Sequence, residues 1–191
     1  EGEVDGLMPG GDRASSYCWA MAENNGYVYI GTWPNGLYQI IAPMGQMVLS
    51  KEMVDKLMLA FTNGEIDPCE EDSTYSAKIY RYSETTGEME LLFDPGDYES
   101  GDYSAIYGFR AATTFKGDVY MDAMLNSSAT DCQLWRVRDE DPYATPEMVL
   151  ENGSLRALCV GVDGEHMYTG GSCEIPEGYK SGAVVFATDT G

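Results

Sequence analysis

Arg110 and Arg156 each stand directly before an alanine, in the related stretches GFRAATTFKGDVYM (108–121) and SLRALCVGVDGEHMY (154–168). Trp19 holds the corresponding place in YCWAMAENNGYVYI (17–30). Guanidiniums held at one level would bind a carboxylate, phosphate or sulfate through paired hydrogen bonds. The indole would offer a bound group a flat stacking surface. The plainer use of the same residues is structural, each arginine tying neighbouring strands together through a backbone carbonyl or a buried acid. Position in a repeat, rather than composition, selects Trp19, Arg110 and Arg156.

A second constellation is the loop DPGDYESGDYSAIYG (94–108), which gathers Asp94, Asp97, Glu99 and Asp102 with Tyr98, Tyr103 and Tyr107. Hard oxygen donors at that density suit Ca²⁺, although their spacing is not that of an EF-hand. Calcium is therefore the one cofactor the sequence brings into view. Tyrosine, with an apolar face and a polar tip, also suits a sugar or a basic peptide. The bland alternative is a solvated connection between repeats, and RDEDPYATPE (138–147) is a lesser version of it.

Other chemistry finds little support. His166 is the only histidine, and the five cysteines (Cys18, Cys69, Cys132, Cys159, Cys173) form no C-x-x-C pair, so neither zinc nor thioredoxin-type redox chemistry is expected. A single histidine also removes most nucleophile–histidine arrangements. His166 reads as a surface residue at a turn or strand start. Two carboxylates could hydrolyse a glycosidic bond, but nothing selects a pair from 32 acidic residues. No catalytic residue is assigned. Cys132 and Cys173 fall in or beside loops of neighbouring repeats, where one disulfide would fit, whereas Cys18 and Cys159 sit in apolar strand patterns that favour buried free thiols. Sequons at Asn126 and Asn152 matter only where the source glycosylates.

Charge narrows the partners. With 11 Lys+Arg against 32 Asp+Glu, the formal net charge is -21. Such a surface repels nucleic acid and anionic membranes, which bind proteins through basic residues. Cations, basic peptides and neutral ligands such as glycans remain compatible, as does a plain solubility role in an extracellular or salty setting. No apolar run approaches the length needed to span a bilayer. The chain opens without Met or a signal-like segment, so residue 1 reads as a processed or trimmed terminus.

These residues need a scaffold, and the repeat supplies one. Aligned on Tyr29, Tyr120 and Tyr168, each copy shows alternating β-rich residues broken by ENNG, FKGD or VDGE, with Gly26, Gly117 and Gly164 available for positive φ. Third strands are expected at 77–83, 132–138 and 182–188, and fourth strands at 89–94 and 147–152. Ala111 and Ala157 stand 46 residues apart (157 − 111). The longer gap from Ala20 to Ala111 reads as one unit with an insertion at 49–76. Within it, Met53, Val54, Leu57, Met58 and Phe61 in 49–64 have the spacing of a short amphipathic helix, with Ser50 as N-cap, packed on the core.

Through GYVYIGTW, GDVYMDAM and AKIYRYSETTGEMELL, the chain resembles β-propeller repeats of the kelch-like and PQQ-like kind. The kelch double glycine is present only as Gly170-Gly171, and no Trp-Asp pair marks a WD40 repeat. The resemblance implies an all-β fold, a partial β-propeller of about three four-stranded antiparallel blades. They would span 17–94 (with the helical insertion), 105–152 and an incomplete 154–191, after an N-terminal extension at 1–16. Propellers typically need four to eight blades. The resemblance thus implies a segment of a longer array, or self-association through open blade edges. It also puts the first strand of each blade on the central channel, with Trp19, Arg110 and Arg156 near one mouth.

The expected function is a binding or interaction module, secreted or cell-surface, for a protein, peptide or glycan, without nucleic acid and without membrane insertion. The alternative is a fragment of a propeller-type carbohydrate-active hydrolase or lyase with other site residues in blades outside this sequence.

Overall fold

The computed structural model describes residues 17–33, 49–50, 52–53, 56–57, 60, 77–94, 106, 108–125, 132–151, 154–172 and 183–188. They form three antiparallel sheets. The first orders β1 (Tyr17–Asn24), β2 (Tyr27–Trp33), β3 (Ile79–Ser83) and β4 (Met89–Phe93) as a meander. The second repeats it with β5 (Gly108–Phe115), β6 (Asp118–Met124), β7 (Cys132–Val137) and β8 (Glu147–Glu151). The third holds β9 (Ser154–Val160), β10 (Met167–Ser172) and β11 (Ala183–Thr188).

Local chemistry explains the hairpins. Asn25-Gly26 joins β1 to β2 with φ of 51° and 80°, and Lys116-Gly117 joins β5 to β6 with φ of 49° and 89°. Two positive φ values in a two-residue loop match the twist of the flanking strands. The third hairpin turns through 161–166 instead, with Gly164 at φ 70°. Those extra residues explain why Ala157 lies farther from its tyrosine than Ala20 and Ala111 do from theirs.

Strand alternation gives each sheet two faces, and the tyrosines mark one of them. In register, Tyr29 pairs with Ala22, Tyr120 with Thr113 and Tyr168 with Cys159. The tyrosine face of the first sheet (Ala22, Tyr29, Ile79, Phe93) packs on the opposite face of the second (Val119, Met121, Trp135, Val137) in one core. The tyrosine face of the second sheet (Phe115, Tyr120, Met124, Leu134) packs in turn on Leu158, Val160 and Met167 of the third. Each junction therefore joins a tyrosine face to an opposite face. At the first junction the backbones come so close that a Cβ on Gly31 would lie 2.5 Å from Cβ of Phe109. Only glycine fits there.

Polar ties close the rim of that junction. Asn24 donates through Nδ2 to the Gly117 carbonyl (2.8 Å) and to Asp139 Oδ1 (3.1 Å). Asn25 donates to Asp139 Oδ2 (2.6 Å), and Thr114 Oγ1 donates to the Glu23 carbonyl (2.5 Å).

Three expectations need correction or fall outside the description. Cys18 and Cys159 are free but exposed, not buried, because each lies on a strand face that no described element covers. No helix is among the described elements, and of 49–64 only 49–50, 52–53, 56–57 and 60 are described, the last five of these residues with helical backbone. Met53 and Leu57 there are exposed, so they do not pack on the core. The extension 1–16, Cys69, Cys173 and both sequon asparagines lie outside the described residues. No described helix is long and apolar enough to cross a membrane.

Candidate functional site

All three first strands bulge at one register position. In the first sheet, pairing jumps from Cys18–Thr32 to Ala20–Gly31 and leaves out Trp19. In the second it jumps from Phe109–Ala123 to Ala112–Met121 and leaves out Arg110 with Ala111. In the third it jumps from Leu155–Gly171 to Ala157–Gly170 and leaves out Arg156. A bulge frees backbone groups from the ladder and re-aims the extra side chain. The residues chosen by repeat position alone are thus the bulge residues of three equivalent strands. β1 packs against β5, and β5 against β9, so the bulges follow one another across neighbouring sheets.

Asp122 fixes the middle bulge. Its Oδ1 accepts from the backbone N–H groups of Arg110 (2.9 Å) and Ala111 (2.5 Å), the donors that the ladder lost. The carboxylate is fully buried, and Oδ2 has no hydrogen-bond partner. Burial pushes its pKa up to about 6, while the two backbone donors and the Arg110 charge pull the other way. Gly31 and Gly170 hold the corresponding positions on β2 and β10, so neither other bulge has such a clamp. Sequence reasoning missed Asp122, although an aspartate in the apolar pattern VYMDAM was the available signal.

The Arg110 guanidinium lies 5.2 Å from the centre of the Trp19 ring. Trp19 stacks in turn on Trp33, with centroids 4.1 Å apart and planes inclined by 20°. A cation over an indole face is held by the ring quadrupole. The column Trp33–Trp19–Arg110 therefore spans the first and second sheets. For Arg156 the backbone is described and the side chain lies outside the description.

Other described arginines are matched to acids. Arg81 meets Glu90 (2.7 Å), and Arg136 and Arg138 share Glu147 (2.6 and 2.8 Å). These two arginines hold Glu147 well below the usual range, at about 2. Arg81 and Arg136 lie in cross-strand rows, Tyr29–Arg81–Glu90 and Tyr120–Arg136–Glu147. Tyr143 reaches over from the β7–β8 connection to cap the first row, its hydroxyl 2.8 Å from Arg81. Among the described residues Arg110 has no carboxylate within salt-bridge distance; its guanidinium meets the Trp19 ring, and its charge acts on the buried Asp122.

The acidic loop is described only in part. Asp94 lies 3.2 Å from Lys78 Nζ, in a largely buried ion pair, which gives it a structural use. Asp97, Glu99, Asp102 and Tyr103 lie outside the described residues. Among the described residues no group of three or more histidine, cysteine or acidic side chains could hold a metal ion. The lesser acidic segment lines a cleft of about 340 Å³ with Arg138, Glu140, Asp141 and Glu147. Arg138 there is already paired with Glu140 and Glu147. His166 precedes β10 with Nδ1 3.5 Å from Asp163, half-exposed beside the turn.

Neither a protein-family model nor a curated protein matches the chain.

Proposed function

We propose that the three sheets are blades of a β-propeller-type array and that the chain is a binding module, secreted or cell-surface. Its bulged first strands would present Trp19, Arg110 and Arg156 to an anionic group on a protein, peptide or glycan partner. The observation that carries this reading is Arg110: stacked on Trp19, fixed at its backbone by Asp122, and within salt-bridge distance of no carboxylate among the described residues. A planar carboxylate satisfies such a guanidinium through two parallel hydrogen bonds, and the indole favours a flat group beside it.

The test is a binding screen that pairs each acid with its neutral counterpart: uronic-acid against neutral oligosaccharides, and peptides with a free C-terminal carboxylate against their amides. Arg110→Ala should weaken the acidic hits by about tenfold or more, the loss of one charged hydrogen-bonding partner, with little change in melting temperature. Acidic and neutral ligands binding alike, or an unaffected variant, would overturn the reading. Carbohydrate turnover abolished by Arg110→Ala in a folded protein would replace it with an enzymatic one.

A further inference from the structure

Of the three matching positions on β2, β6 and β10, only that of Asp122 can change its charge, since Gly31 and Gly170 hold the other two. The two oxygens of its carboxylate have unlike surroundings. Oδ1 accepts from the Arg110 and Ala111 amides, whereas Oδ2 has no partner among the described residues although the side chain is fully buried. The amides favour the charged form, because a charged acceptor holds an N–H about twice as strongly as a neutral one. Burial favours the neutral form, because the unmet oxygen has given up water and gained nothing in exchange. Clamp and burial thus ask for opposite protonation states.

The neighbouring strands do not settle that conflict. On β5 the Arg110 charge favours the anion. On β7 the residue in register is Leu134, and Arg136 farther along is engaged by Glu147 and the Tyr120 hydroxyl. On β1 the only charged residue is Glu23, whose carboxylate accepts from Gly26 N–H (3.2 Å) at its own hairpin. On β9 the only charged residue is Arg156, with its side chain outside the description, and β10 has none. The third sheet otherwise brings apolar surface to this face through Leu158, Val160 and Met167.

We propose that Asp122 is a proton-operated clamp: as an anion it grips both bulge amides and sets the Arg110 guanidinium over the Trp19 ring, and as a neutral acid it loosens that grip. In the neutral form the proton sits on Oδ2, since Oδ1 keeps the two amide donors. Those donors then face an uncharged carbonyl oxygen and bond less tightly. The change reaches Trp19 because Arg110, whose N–H is released, is the residue stacked on that ring, and Trp33 follows through its own stacking. The opposing demands balance at about pH 6. The clamp operates in the free protein and rests on no ligand at Arg110.

Two-dimensional proton–nitrogen NMR of the 191-residue chain, titrated across pH 6, reads the clamp directly. The Arg110 and Ala111 amide protons should move downfield together as pH rises through about 6, and the Trp19 indole signal should shift with the same midpoint. The Trp135 indole signal, from the first core, should hold its position. Arg110→Ala removes the charge that favours the anion, so the Ala111 amide should titrate with a higher midpoint. Asp122→Asn keeps an acceptor for the bulge and cannot ionise, so its two amides should show no transition. It shares His166 with wild type, so a transition present only in wild type belongs to Asp122. The wild-type and Arg110→Ala titrations decide the matter even where Asp122→Asn does not fold. Bulge amides that fail to titrate in wild type, an Ala111 midpoint unmoved by Arg110→Ala, a transition kept in Asp122→Asn, or a Trp19 signal that stays fixed or moves only together with Trp135 would each overturn the proposal.

Discussion

The two faces of the second sheet are built to different rules. Toward the first sheet it presents Val119, Met121, Ala123, Trp135 and Val137, all at most 2% exposed. The Trp135 indole N–H on that surface donates to Gln133 Oε1 at 3.1 Å. Toward the third sheet it presents Tyr120, Asp122, Arg136 and Met124. There Asp122 Oδ2 is buried without a partner, while the Arg136 guanidinium meets the Tyr120 hydroxyl. Buried polar atoms left unpaired cost about 1–3 kcal/mol each. The face toward the first sheet is thus largely apolar, and the face toward the third holds charge close to the bulges.

The contrast can be broken most directly in the core. Trp135→Ala empties the centre of the first junction, where the indole packs 5.9 Å from Phe93, and should cost about 3–5 kcal/mol. Met167→Ala at the second junction should cost less, about 2–3 kcal/mol. Denaturant unfolding of the pair measures the difference, and equal losses would remove the asymmetry.

Asp122 tests the polar junction through pH. Its folded pKa is raised from 3.8 to about 6, so the native state holds a proton that the unfolded chain releases between those values. The associated stability is fully present below pH 3.8 and is lost as pH rises through about 6. The loss amounts to about 3 kcal/mol at neutral pH. Asp122→Asn keeps the acceptor for the bulge amides and removes the charge. It should raise stability at pH 7 by about 1–2 kcal/mol and flatten the wild-type decline between pH 4 and 6. Thermal melts of both proteins across that range read the effect. A variant that parallels wild type would show that Asp122 does not titrate there.

The smallest effect is expected at the rim. Asn24→Ala removes the bonds to Gly117 and Asp139 and should cost about 1 kcal/mol. Local hydrogen exchange should rise at the two hairpin turns and remain unchanged around Met167. Loosening that spread to the third sheet would mean that the two junctions are coupled.

Strands and turns were legible in the sequence because their signals are local. Asn-Gly and Lys-Gly dictate tight hairpins, and alternation marks which residues face inward. Trp19, Arg110 and Arg156 could be aligned because the repeat counts residues from one tyrosine to the next. That they are bulge residues could not be read, since a bulge is a property of two strands in register. The Tyr–Arg–Glu rows were hidden for the same reason: their members are separated by whole strands and an insertion. The cysteines misled because an apolar strand pattern does not say whether another sheet covers its face.

The column of Trp33, Trp19 and Arg110 has an optical consequence. Two of the three tryptophans are stacked 4.1 Å apart, close enough for their transition dipoles to couple and give a paired signal in near-ultraviolet circular dichroism. Trp135 sits apart in the first core and emits from a dry site. The molecule thus carries two separate reporters, one at the bulges and one between the sheets. Occupation of Arg110 would disturb the coupled pair while the emission of Trp135 stays constant, and separation of the sheets would shift that emission toward the red.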